Sequence, residues 1–237
     1  MMADGIDLYG DGIGQVELVD YMGSDLTVVN SARVSFGRTK QELDHKDKRL
    51  IKYLVNHKHT STLEHNVVTF RFCVPLFVRS QHHRHRTWSY NEISRRYTDF
   101  DIRFYSPQMF RTQHESNRQA SNADQMVNPL VSYPRVDYAA CVASDAVQKH
   151  SEISLSLYNR LVGAGVCREQ ARGVLPQNMY TEYYGTVNLN NLLKFVDLRL
   201  HEGAQKEIQV VAKACLDIVS NLWPITVDAH RERTTRD

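Results

Sequence analysis

Residues 67 to 74 alternate: Val68, Phe70, Phe72 and Val74 fall on one side of an extended chain, and Val67, Thr69, Arg71 and Cys73 on the other. Successive strand side chains point to opposite faces of a sheet, so the stretch predicts a half-buried strand, and a sheet with one apolar face needs a cover. Helical spacing is clearest from Ala204 to Leu222, where Ile208, Val211, Ala212, Cys215, Ile218, Val219 and Leu222 form one stripe. Strands and helices interspersed without regular strand-helix-strand spacing argue for an α+β fold: an antiparallel-rich sheet flanked by helices on one face, with a helical C-terminal half.

The remaining elements follow from the same two periods. Gln15 to Tyr21 reads as a short strand, and Asp47 to His57 as a helix carrying Leu50, Ile51, Leu54 and Val55 behind an Asp47 cap. Pro75 suits the first turn of a helix running to about His83, because its missing N–H would be unpaired there anyway. Residues 98 to 105 predict a second strand stopped by Ser106-Pro107. Val136 to Val162 predicts a long helix ended by Gly163 and Gly165, and Arg168 to Leu175 a short one stopped by Pro176. Tyr180 to Val187 reads as a strand and Asn190 to Arg199 as a helix. From Gln108 to Arg135 the chain turns polar with little periodicity, which predicts an exposed excursion from a single domain spanning residues 1–237.

A chain of 237 residues is long enough for a full core. Its net charge of +2 gives no general drive toward nucleic acid. Cys73, Cys141, Cys167 and Cys215 are widely spaced, with no CxxC pair and no disulfide pattern, which fits a reducing compartment. The first residues lack a basic and apolar leader, and no apolar run reaches the roughly 18 residues of a membrane span, so a cytoplasmic protein without membrane association is expected.

Basic residues are unevenly divided, with six Arg, three His and no Lys between Arg79 and Arg103. Within that segment, Arg84 to Tyr97 holds four arginines among Ser89, Asn91, Glu92, Ser94 and Tyr97. Guanidinium groups present planar donor forks that match phosphate and carboxylate oxygens two at a time, so arginine without lysine points to geometric recognition of an anion. The histidines at 57, 59, 65, 82, 83 and 85 do not follow a metal-ligand spacing, and no metal is expected. Trp88, Tyr90 and Tyr97 beside the arginines would suit a single-strand nucleic-acid surface, but the chain-wide charge does not support one. Ser94 lacks an evident base and reads as a ligand-binding serine, while Glu169 and Arg172 are spaced to pair along a helix.

The string Arg84-His85-Arg86-x-x-Ser89-x-Asn91-Glu92-x-Ser94-x-Arg96-Tyr97 resembles the signature of the flavin-dependent thymidylate synthases at every fixed position. Ser31-Ala32-Arg33-Val34-Ser35-Phe36, His59-x-Ser61-x-Leu63-Glu64-His65, Arg168-Glu169-x-Ala171-Arg172-x-x-Leu175-Pro176, and Leu198-Arg199 through Ala204-Gln205-x-Glu207-Ile208 fall in that family's order. The resemblance covers roughly residues 15 to 222, the polar excursion apart. It implies reductive methylation of dUMP to dTMP, with methylenetetrahydrofolate as carbon donor, FAD as hydride carrier and NADPH as reductant, in a homotetramer whose sites combine several chains.

By the same resemblance, Gln81, Arg84, Glu92, Ser94, the Arg95 backbone, Arg96 and Arg172 match positions that hold the nucleotide. Arg199 matches the position that meets the uracil ring, and is the expected catalytic group. Ser35, Ser61, Arg84, His85, Arg86, Glu92 and Asn188 match flavin contacts, and His59 lies where the family places a histidine near flavin and folate. Asn190 and Lys194 stand near the flavin where Arg and Asn are common; Thr62 replaces a frequent proline and Gly203 a frequent histidine. The conventional, flavin-free thymidylate synthase uses a cysteine in a Pro-Cys-His context, which is absent.

Overall fold

The computed structural model describes residues 5–132 and 140–235, which divide into two compact units. The first holds described residues 5–72, His82–Asn91 and residues 183–235; the second holds Cys73–Gln81 and the described part of Glu92–Glu182. In chain order the elements are β1 (Ile6–Asp7), β2 (Gln15–Met22), α1 (Asp25–Arg33), α2 (His45–Asn56), β3 (Val67–Pro75), α3 (Leu76–His82) and β4 (Ser89–Glu92). The polar excursion supplies β5 (Phe110–Gln113), β6 (Ser121–Val127) and β7 (Leu130–Ser132), followed by β8 (Ala140–Val142). Then come α4 (Ala143–Gly163), α5 (Arg168–Ala171), β9 (Tyr180–Asn188), α6 (Leu189–Leu200), α7 (Lys206–Leu222) and α8 (Pro224–Thr234). The main sheet has the order β1-β2-β3-β9-β4, with β1 antiparallel to β2, while β5 with β6 and β7 with β8 form two-stranded antiparallel ladders. Mixed α and β structure with antiparallel sheets agrees with the expected class.

In the first unit, Val68, Phe70 and Phe72 are fully buried, as the alternation predicts. On the opposite face Thr69 meets the Thr186 hydroxyl at 2.9 Å and Arg71 pairs with Glu17 at 3.2 Å, so polar groups face one another across the strands. Phe72 stacks on Tyr183 with ring centroids 5.0 Å apart and touches His82 and Trp88. Gly185 belongs there because a Cβ would stand 2.9 Å from the Phe72 ring and 3.3 Å from Trp88. The α7 stripe packs on β2 and α6, and buries Ile208, Val211, Ala212, Cys215 and Val219.

Helix α2 begins at His45, capped by Asp44 and not by Asp47. The Asp44 carboxylate accepts from the Lys46 and Asp47 backbone amides, while Asp47 reaches back to the Asp44 amide, a reciprocal capping box. Asp47 is fully buried and is paired with Arg33 and Lys40. Helix α8 carries no sequence signal beyond Pro224 at its start. Its first amides are taken by Asp25, which accepts from Ile225 N at 3.0 Å, Thr226 N at 2.9 Å and the Thr226 hydroxyl at 2.6 Å.

In the second unit, α4, α5 and the 3-10 turn Arg172–Val174 enclose Tyr158, Ala171, Leu175 and Met179, against which Leu76, Ile102 and Phe104 pack. Three expectations are corrected here. Pro75 closes β3 instead of opening the helix, and Leu76 N donates to Met179 O at 2.9 Å. Residues 98 to 105 form no strand apart from an isolated bridge between Phe104 and Met179: the Arg95 guanidinium gathers the Phe100 and Asp101 carbonyls, and Asp101 turns left-handed at φ 51°. The polar excursion, for which the sequence neither predicts nor excludes a strand, carries the β5–β6 ladder, in which the Asn122 amide ties Thr112, Gln113 and Gln125 together; its residues 133–135 lie outside the described residues. Helix α4 starts at Ala143 after a strand, and the expected start at Val136 lies outside the described residues. Its end is as expected, with Gly165 at φ 90°.

Candidate active site

The second unit contains a cleft of about 500 Å³ whose walls include Arg79, Glu92, Ser94, Arg95, Arg172, Gln177 and Thr181. The elements explain the convergence. Glu92 ends β4, Thr181 lies on β9, and Arg172 opens the 3-10 turn after α5. Ile93 N donates to Glu182 O at 2.9 Å, which carries the chain from β4 into the Ser94 turn. There Tyr97 N and Thr98 N both close onto Ser94 O, and Arg96 N donates to the Ser94 hydroxyl at 3.3 Å.

The cleft is wired internally. Thr181 donates its hydroxyl to Glu92 Oε1 at 2.7 Å, and Arg79 Nε lies 3.2 Å from the same oxygen. Arg95 is buried and commits its two terminal nitrogens to the Phe100 and Asp101 carbonyls, which ties its guanidinium to its own loop. Burial depresses the Arg95 pKa. Glu169 reaches Arg96 at 3.9 Å in place of the expected Arg172 partner. Among the expected nucleotide residues, Glu92, Ser94, Arg95 and Arg172 meet in this cleft. Gln81, Arg84, Arg96 and Arg199 do not line it. Arg79, Gln177 and Thr181 were not singled out; for Arg79 the lysine-free arginine segment was the available signal.

In the first unit, Arg199 in the last turn of α6 donates its Nε–H to His85 Nε2 at 3.1 Å. The His85 backbone is fixed by a bond from its own N to His82 O at 3.0 Å and by the Tyr90 hydroxyl on its carbonyl at 3.3 Å, while Phe195 packs edge-on against its ring. Burial, and then the Arg199 charge, hold His85 down to about 4, and burial also lowers Arg199. His82 is fully buried, shares Nδ1 with the Tyr183 hydroxyl at 2.8 Å and is held well below the ordinary histidine range, first by burial. Arg84 and Arg86 are exposed on the turn that joins α3 to β4.

A second cleft in the first unit, about 800 Å³, brings together Ser35, His59 and Ser61 with Ser31, Phe36, Arg38 and Tyr53. Phe36 is 79% exposed, and Tyr53 stacks on His59 with centroids 5.8 Å apart. Hydroxyls, flat rings and the guanidinium of Arg38, with that of Arg33 paired to Asp47, suit a planar aromatic ligand with a charged tail. Asn190 and Lys194 line a separate cavity of about 130 Å³ with Lys58, His230 and Arg233. There the Asn190 amide donates to Glu64 at 2.8 Å, and His230 meets Asp197 at 2.7 Å. Asn188 caps α6 by accepting from Asn191 N at 2.9 Å. No group of three His, Cys, Asp or Glu among the described residues is arranged to hold a metal ion, and no described helix is long and apolar enough to cross a membrane.

A guanidinium-walled cleft in one unit and a ring-lined cleft in the other define an α+β protein equipped for anionic and flat aromatic ligands. Comparison with known proteins makes the class specific. Residues 17–225 match the family model described as thymidylate synthase complementing protein. The chain is 41% identical over 219 residues to the flavin-dependent thymidylate synthase of Thermus thermophilus, covering 92% of this chain and 76% of the relative. It is 40% identical to the one from Thermotoga neapolitana, covering 91% and 90%. Among solved structures, the UMP/dUMP methylase PolB of Streptomyces cacaoi with bound 5-Br dUMP superposes with a TM-score of 0.74 at 32% identity, over 96% of this chain and 97% of that one. The chain therefore belongs to the thymidylate synthase complementing protein family, that of the flavin-dependent thymidylate synthases.

Proposed function

We propose that this protein methylates dUMP to dTMP, with methylenetetrahydrofolate as the carbon donor, NADPH as the reductant and FAD as cofactor, in a homotetramer whose sites draw on several chains. The observation that carries this reading is the meeting of Glu92, Ser94 and Arg172 in one cleft of a chain that belongs to this family. Arg172 presents a fork to the nucleotide phosphate, with the Ser94 hydroxyl as a further donor. A carboxylate can only accept hydrogen bonds, so Glu92, steadied by Thr181 and Arg79, suits a sugar hydroxyl and not the phosphate. Arg199 places a fixed positive charge against the uracil and favours the polarised ring, so that C5 takes up the one-carbon unit and loses its proton. Preorganised charge of this kind is often the largest catalytic contribution.

The ring-lined cleft fits FAD by its donor set: Ser35, Ser61 and His59 beside Phe36 and Tyr53 would hold a flat ring system, and Arg38 a charged tail. When bound, FAD supplies hydride transfer from NADPH. The backbone turn Arg84–Arg86 and the residues Asn188, Asn190 and Lys194 complete the flavin contacts that the family resemblance implies.

The direct test is an absorbance spectrum of the purified protein followed by dTMP formation from dUMP, methylenetetrahydrofolate and NADPH. A flavin spectrum and dUMP-dependent product are expected; a colourless protein that shifts oligonucleotides would end the reading. PolB structures contain both 5-Br dUMP and 5-Br UMP, which favours UMP as a second substrate to be assayed in parallel.

A further inference from the structure

The contact between Arg199 and His85 pairs a guanidinium with an uncharged ring where a carboxylate is the commoner partner. We propose that His85 is a positioning residue: as a neutral hydrogen-bond acceptor on Arg199 Nε, 3.1 Å away, it sets the plane of the guanidinium without discharging it. A carboxylate at the same place would orient Arg199 equally well, but would cancel the field that the arginine presents to its substrate. An imidazole does the first and not the second, provided that Nε2 carries no proton.

The surroundings enforce that condition. A protonated His85 would place two cations 3.1 Å apart in a half-buried setting, and burial together with Arg199 holds its pKa down to about 4. The ring nitrogen that faces Arg199 is therefore bare at neutral pH, and the proton sits on Nδ1. Phe195 meets the ring edge-on at 4.9 Å, and the backbone of the residue is tied by the Tyr90 hydroxyl on its carbonyl at 3.3 Å and by its amide on His82 O at 3.0 Å. Arg199, His82 and the Tyr90 hydroxyl are titratable groups that meet this residue. His82 is itself held below the ordinary histidine range, first by burial. An acceptor whose own backbone is tied can fix a guanidinium through Nε, because that atom is the pivot of the planar group.

This rests on Arg199 facing the uracil as proposed above, so the test separates the two. Holoenzyme variants His85→Gln, His85→Glu and His85→Leu are compared for kcat, for dUMP dissociation constant and for flavin content by absorbance, with rates normalised to bound flavin. His85→Gln, a neutral acceptor, should stay within about tenfold of wild-type kcat, the scale of one altered hydrogen bond. His85→Leu should lose about 100-fold, the usual cost of removing one preorganised interaction, and His85→Glu should lose at least as much although it can still accept from Arg199. Equal kcat for Gln and Leu, or a Glu variant as active as Gln, overturns the proposal. The 15N signals of the His85 ring in wild-type holoenzyme give a readout independent of turnover and of variant folding: a protonated Nδ1 and bare Nε2 are expected, and a proton on Nε2 overturns it. Wild-type turnover by Arg199→Ala would instead end the assignment of Arg199 itself.

Discussion

The two clefts are prepared for ligands in opposite ways. In the cleft of the second unit Glu92 and Arg95 already have partners: Glu92 holds Thr181 and Arg79, and Arg95 holds two carbonyls. In the first unit the ring-lined cleft is walled by Phe36, Leu50, Tyr53 and Leu54 with small hydroxyls, and the Arg33 charge is drawn aside to Asp47 at 2.6 Å. A cleft for an anion gains by fixing its dipoles in advance, because nothing then has to reorganise when charge arrives. A cleft for a flat ring gains mainly by the apolar area it removes from water, and needs exposed rings more than fixed dipoles. The positions of hydrogen-bond partners thus distinguish the two kinds of site where a list of lining residues would not.

Substitutions can break or sharpen this contrast. The largest effect is expected from Phe72→Ala, which removes the ring on which Tyr183, Trp88 and His82 rest in the first unit; it should cost about 3–5 kcal/mol in denaturant unfolding. A loss below about 1 kcal/mol would mean that the aromatic cluster does not anchor that unit. Arg199→Ala should lower dTMP formation about 100- to 1,000-fold while flavin absorbance persists, and unchanged turnover would remove Arg199 from its assigned role. Arg172→Ala should weaken dUMP binding about 10- to 100-fold in titration calorimetry and leave flavin binding alone, since it deletes one charge-assisted contact from the prewired cleft. Equal weakening of both ligands would erase the distinction between the clefts. The smallest effect is expected from Tyr158→Phe. The Tyr158 hydroxyl is buried in the second unit without a hydrogen-bond partner among the described residues, so its removal should leave stability unchanged or raise it by up to about 1 kcal/mol. A clear loss would reveal a partner for that hydroxyl.

Much of the fold was legible because period and punctuation are local. Strands β2, β3 and β9, helices α6 and α7, and the glycine end of α4 follow from alternation, a stripe and a left-handed residue. What was not legible has one source. Residues 98 to 105 alternate convincingly, yet Arg95 claims the Phe100 and Asp101 carbonyls; the excursion has no apolar period to announce the ladder that Asn122 and its amide partners hold. In both places a side chain supplies or removes the backbone bonds that a local pattern assumes. The site was read in the same measure. Glu92, Ser94 and Arg172, marked out by residue type, line one cleft, whereas Arg79 and Thr181 became visible only when β4 and β9 were set beside one another.

The chain's own order of residues determined its family, its α+β class and the anion-seeking character of the segment from Arg79 to Arg103, because residue type and spacing are properties of a linear string. Tertiary structure alone decided that Asp25 would cap a helix beginning two hundred positions later, that Arg95 would turn inward while Arg172 faces a cleft, and that His85 would meet Arg199. Those are distances between atoms remote along the backbone, and such distances come into being only when burial of the apolar faces brings the elements together.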